Sequence, residues 1–72
     1  MKFPQRLTSI MESCSVSAYR MSKETGLSDT QISYYKSGKN DPTGENLIKL
    51  ADYFNVSVDY LLGRTDNPEV NR

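Results

Sequence analysis

A chain of 72 residues makes one small domain, and a domain this size buries only about 60% of the surface its unfolded chain exposes, so its core is thin. With 36% hydrophobic and 25% charged residues, the composition excludes a disordered segment, and no apolar run approaches the roughly 18 residues of a membrane span. Net charge is zero but polarised: six basic against three acidic residues through Lys39, a balance of +3, then three against six from Asn40 onward, a balance of −3. Such a chain can turn a basic face to phosphate, although charge runs of this size also occur on any solvated surface. The N-terminal MKFPQRLTS lacks the apolar stretch of a signal peptide, so a cytoplasmic protein is expected.

Pro4 fits the first turn of a helix, where its missing N–H costs nothing. Leu7, Ile10, Met11 and Cys14 follow at i, i+3, i+4 and i+7 and predict one apolar stripe on a helix from about Pro4 to Ser13. Cys14 is then expected as a small buried hydrophobe at its end. Ser17 is the expected N-cap of a second helix, Ala18 to Thr25, with Val16 and Met21 as a hydrophobic staple and Met21 and Thr25 facing inward. Gly26 can take the left-handed conformation that ends it.

A third helix starts almost at once. Ser28 and Gln31 form a capping box, Leu27 and Ile32 a staple, and the helix runs from Asp29 to Ser37 with Gly38 closing it. Two helices joined by so short a glycine turn make a helix-turn-helix, the unit that places its second helix in the major groove of DNA. Lys39-Asn40-Asp41-Pro42 reads as a loop. Thr43 then caps a fourth helix reaching about Tyr53, with Glu45 in its first turn, Leu47, Leu50, Ala51 and Phe54 as its buried stripe, and Asn55 as terminator. A fifth, short helix begins after Ser57, with Val56 and Leu61 in staple positions, and ends at Gly63. The fold class is therefore all-α: a five-helix domain over residues 1–63, followed by a polar tail, residues 64–72, that is a frayed end or a tether.

The chain has no histidine and one cysteine, which removes the common zinc ligand sets and an internal disulfide. It also lacks a Gly-rich phosphate loop and a serine with a candidate base, so neither an enzyme, a metal nor a cofactor is expected.

From Ser17 to Gly63 the chain carries Met21, Ser22, Gly26, Leu27, Ser28, Ile32, Gly38, Pro42, Leu47, Leu50, Ala51 and Val56, then the run Ser57-Val58-Asp59-Tyr60-Leu61-Leu62-Gly63. Gly-x-Ser at the turn, Gly-x-x-x-Pro after the third helix and the VSVDYLLG ending, in this order and spacing, resemble the Cro/CI-type phage-repressor helix-turn-helix family, also called the Xre family. The resemblance implies a compact lambda-repressor-like DNA-binding domain, usually a dimer on DNA, acting as a transcriptional regulator at pseudo-palindromic operators, with repression as the expected role. Three positions depart from the family pattern. Ala18 stands where a phosphate-binding glutamine is frequent, Lys36 where an acidic residue is usual, and Ser22 where a small alanine packs between the two helices. The N-terminus of the second helix, with Ser17, can still hold a phosphate.

If Ile32 and Tyr35 face the core, Asp29, Thr30, Ser33 and Tyr34 lie outward, where a recognition helix meets base edges. Asp29 can accept from a cytosine amino group or simply favour the helix N-terminus, while Thr30 and Tyr34 suit a thymine methyl or an acceptor. Ser17, Tyr19, Ser37, Lys39 and Asn40 are the expected phosphate contacts. One unit supplies one recognition helix, so a homodimer is expected on DNA, through Val58, Tyr60 and Leu61, with the tail free to cross to the partner. The alternative is a protein-interaction module, such as an antitoxin or anti-repressor component. Zero net charge, Ala18 and Asp29 speak for it, and the salt dependence of DNA affinity separates the two.

Overall fold

Five helices follow one another in the computed structural model, which describes residues 2–68: α1 (Phe3–Ser13), α2 (Ala18–Thr25), α3 (Asp29–Ser37), α4 (Gly44–Phe54) and α5 (Val58–Leu61). Four of them start on a hydroxyl cap. Ser17 Oγ accepts from the Arg20 N–H, Ser28 Oγ from Gln31, Thr43 Oγ1 from Asn46 and Ser57 Oγ from Tyr60, at 3.0–3.2 Å. The Ser28 box is complete, because Gln31 Oε1 accepts from the Ser28 N–H at 3.0 Å. Gly26 ends α2 at φ 82°, and Asn55 ends α4 at φ 56°.

α1 begins on Phe3, which the stripe from Leu7 onward did not include. Its side chain is wholly buried and meets the Tyr35 ring edge-on, with centroids 5.9 Å apart. Phe3, Leu7, Ile10 and Met11 of α1 form the core with Met21, Leu27, Ile32, Tyr35, Leu50, Ala51 and Leu61. α1 lies against α3 and α5, α2 against α3 and α4, and α4 against α5. Leu47 and Phe54 are half-buried at the edge of this core rather than inside it.

Three expectations are corrected. Cys14 is exposed: α1 stops at Ser13, Ser15 takes φ 54°, and the Val16 N–H returns to the Met11 carbonyl at 2.9 Å. Cys14 itself keeps αR geometry, with its N–H on the Ile10 carbonyl at 2.9 Å, and the chain turns away only at Ser15, so Cys14 continues the stripe at the helix end but lies beyond the edge of the core. Leu61 is 0% exposed and belongs to the chain's own core, which withdraws it from any dimer surface. The tail is not free through Pro68. Arg6 Nη2 reaches Asp66 Oδ1 at 3.0 Å and the Thr65 carbonyl at 3.5 Å, and its guanidinium lies 4.3 Å from the Tyr60 ring centroid. The Ser57 N–H donates to the Pro68 carbonyl at 3.0 Å. Residues 69–72 of the expected tail lie outside the described residues.

Candidate nucleic-acid interface

The turn between α2 and α3 is held by two side chains. Ser22 Oγ donates to the Leu27 carbonyl at 2.6 Å, while Thr25 Oγ1 donates to the Met21 carbonyl at 2.7 Å and accepts from the Leu27 N–H at 3.2 Å. Ser22, in the alanine position of the family pattern, thus adds a hydrogen bond at the inter-helix contact. With its polar groups satisfied, the turn fixes α3 relative to α2.

Ile32 and Tyr35 are both buried, so α3 sits on the core by that edge. Asp29, Thr30 and Ser33 are exposed, and Tyr34 is half-buried. The residues expected at phosphates divide between the two ends of the unit. Ser17 caps α2 and Tyr19, 66% exposed, follows in its first turn; Ser37, Lys39 and Asn40 are exposed at and beyond the end of α3. The helix N-terminus of α2 adds N–H groups that favour an anion, apart from that of Arg20, which is bonded to Ser17 Oγ.

Existing bonds qualify these groups. Ser17 Oγ spends an acceptor site on its cap and keeps its proton for donation. Ser37 Oγ donates to the Tyr34 carbonyl at 3.1 Å, so its proton is engaged and it must turn to donate to a phosphate. Lys39 Nζ lies 4.5 Å from the Tyr34 ring centroid. Lys23 Nζ lies 5.4 Å from the Tyr19 centroid, and Lys23 joins the basic groups of this surface although it was not among the expected contacts. Its signal was present, since Tyr19 and Lys23 fall four apart on one helix face.

Arg20 is committed elsewhere. Its Nε donates to Glu24 Oε1 at 2.7 Å, and the Tyr53 hydroxyl donates to the same oxygen at 2.8 Å. The Tyr53 hydroxyl, and after it Arg20, hold the Glu24 carboxyl below the usual carboxylate range. Partial burial, then Glu24, push the Tyr53 hydroxyl up. This cluster ties α2 to α4.

The helix-turn-helix family model matches residues 7–61. The chain belongs to the Cro/CI-type, Xre-like helix-turn-helix family. It is 39% identical over 64 residues to the cryptic phage CTXphi transcriptional repressor RstR of Vibrio cholerae, covering 89% of this chain and 57% of that protein. It is 29% identical over 65 residues to the uncharacterized HTH-type transcriptional regulator YobD of Bacillus subtilis, covering 90% and 58%. With the HTH-type transcriptional regulator ImmR of Bacillus subtilis it shares 27% over 71 residues, covering 99% and 56%. The chain thus spans a little over half the length of these curated relatives. No solved structure matches it significantly. The Cro/CI-type match runs from Leu7 to Leu61 and leaves out Phe3 and the tail, two of the places where the fold departs from the sequence expectation. Among the described residues, no helix is long and apolar enough to cross a membrane, and no group of His, Cys, Asp or Glu could hold a metal ion.

Proposed function

We propose that this Cro/CI-type domain binds double-stranded DNA sequence-specifically and serves a cytoplasmic transcriptional regulator, acting as a repressor, with α3 in the major groove of a pseudo-palindromic operator. The observation that carries the reading is the open outer side of α3, framed by the N-terminus of α2 and the Lys39-Asn40 loop on a fold of this family. The relatives named as transcriptional repressor and regulators support it. Asp29, Thr30, Ser33 and Tyr34 are the candidate base contacts; Ser17, Tyr19, Ser37, Lys39 and Asn40, joined by Lys23, are the candidate phosphate contacts.

The size of the domain supports a two-copy assembly on the operator. The chain measures 29 × 22 × 22 Å, and half-sites one helical turn apart lie about 34 Å from centre to centre. One domain therefore reaches one half-site, and a full operator takes two copies. Val58 and Tyr60, both half-buried, remain the candidate contacts on α5.

A randomised-site selection tests the reading. It should return an enriched two-fold motif with half-sites about 10 base pairs apart. Absence of any enriched motif at moderate salt overturns sequence-specific binding, and shallow salt dependence of a residual affinity favours the protein-interaction alternative. Sedimentation with the selected duplex should give two protomers per site; one per full site at saturation overturns the dimer.

A further inference from the structure

We infer that Tyr34 is a positioning residue that holds the Lys39 ammonium ready for a backbone phosphate, and that it is not a reader of base edges. The inference rests on the DNA-binding reading above and changes the role given there to Tyr34. The chain leaving α3 turns back on this one residue. Gly38, at φ 80°, donates its N–H to the Tyr34 carbonyl, the Lys39 N–H donates to the same oxygen at 2.9 Å, and Ser37 Oγ adds a third bond at 3.1 Å. That return carries the Lys39 side chain over the ring of the residue five positions earlier, with Nζ 4.5 Å from the centroid. An ammonium within about 6 Å of an aromatic face is attracted by the negative charge of that face.

The consequence is pre-organisation. A lysine in a loop ordinarily has a flexible four-carbon stem, whose freedom must be given up when it meets a phosphate. Here the main chain and the side chain of Lys39 are tied to the same tyrosine, and much of that ordering precedes binding. Tyr34 is correspondingly half-buried, whereas Asp29, Thr30 and Ser33 are exposed. With one ring face occupied by the ammonium, base reading falls to those three. Lys23 over Tyr19, at 5.4 Å with Tyr19 66% exposed, is a looser pair of the same kind on α2.

The test has an arm without DNA and an arm with it. In the unbound intact chain, the Lys39 Hε protons should resonate upfield through the ring current, retain that shift in Tyr34→Phe and lose it in Tyr34→Leu. Against a mixed-sequence duplex and the selected site, Tyr34→Leu should weaken both alike, by about two- to fivefold, the range expected of an exposed cation–π contact. Tyr34→Phe should bind as the parent does. Lys39→Ala should flatten the salt slope by about one, and adding Tyr34→Leu to it should cost nothing further, because the pair acts as a unit. Absence of the upfield shift in the parent chain overturns the inference. So do fully additive losses, or a Tyr34→Leu loss confined to particular base pairs. A parent chain with the upfield shift but no affinity for any duplex overturns the DNA-binding reading and the phosphate role together, and the intact shift separates that failure from a failure of the Tyr34–Lys39 tie.

Discussion

Gly26 and Gly63 have nearly the same backbone geometry, φ 82° and 75°, in opposite surroundings. A Cβ built on Gly26 meets nothing within 4 Å, whereas one on Gly63 falls 2.5 Å from Lys2 Cβ. Placing an L-residue in the left-handed region costs about 1–2 kcal/mol, and replacing glycine by alanine recovers part of that by restricting the unfolded chain, so Gly26→Ala should cost about 1 kcal/mol. Gly63→Ala carries the same cost and a collision besides. The atom it strikes is the root of the Lys2 side chain at the N-cap of α1, so backbone must move, and overpacking adds about 1–3 kcal/mol. In a domain this small each kcal/mol lowers Tm by about 4–8 °C. Thermal unfolding followed by far-ultraviolet circular dichroism should therefore show a drop of about that size for Gly26→Ala and at least twice as much for Gly63→Ala. Below its melting range Gly26→Ala should keep its DNA affinity, since its methyl group meets nothing. A Gly63→Ala loss no larger than that of Gly26→Ala would refute the close seating of the α5 end on the start of α1.

Three further outcomes follow from the hydrogen bonds. Ser28→Ala removes the cap of α3 and half of its capping box, and should lower unfolding free energy in urea by about 1 kcal/mol. Glu24 has a lowered folded pKa, so its contribution to stability is present above the ordinary carboxylate value and is lost as pH falls through the folded one. Tyr53→Phe removes the largest cause of the lowering, so urea midpoints titrated downward from neutral pH should fall less in acid for the variant than for the parent chain. Arg6→Ala removes the bonds to Thr65 and Asp66 and the stack on Tyr60, and should speed amide hydrogen exchange at Ser57, whose N–H is bonded to Pro68. Asp66→Asn should change it far less, because the Asp66 side chain is 99% exposed and such pairs contribute little.

What could be read from the sequence is what is encoded within three or four residues. Ser17, Ser28, Thr43 and Ser57 each cap the helix expected of them because cap and bonded N–H lie three positions apart. Exposure of Asp29, Thr30 and Ser33 followed from placing Ile32 and Tyr35 inward, as helical period requires. Cys14 shows where this reasoning stops. Its phase with Leu7, Ile10 and Met11 is correct and its backbone is still αR, but phase gives only the direction of a side chain, and at the end of α1 the core no longer covers it. Phe3 is the reverse case, in phase four residues before Leu7 yet passed over because Pro4 was taken as the start.

The tail and the Tyr34–Lys39 pair were illegible for a different reason. Arg6 and Asp66 are 60 positions apart, and no local pattern tells a polar tail which arginine will hold it. Tyr34 and Lys39 are five apart, a spacing that an uninterrupted helix puts on different faces. They meet because Gly38 takes the left-handed conformation and sends the chain back over the helix end. The glycine that terminates α3 thereby also decides where the following lysine stands. Under the phosphate role proposed for Lys39, the end of α3 belongs to the interface as well as bounding it, and a reading that treats Gly38 only as a stop signal leaves the charge beyond it without a place.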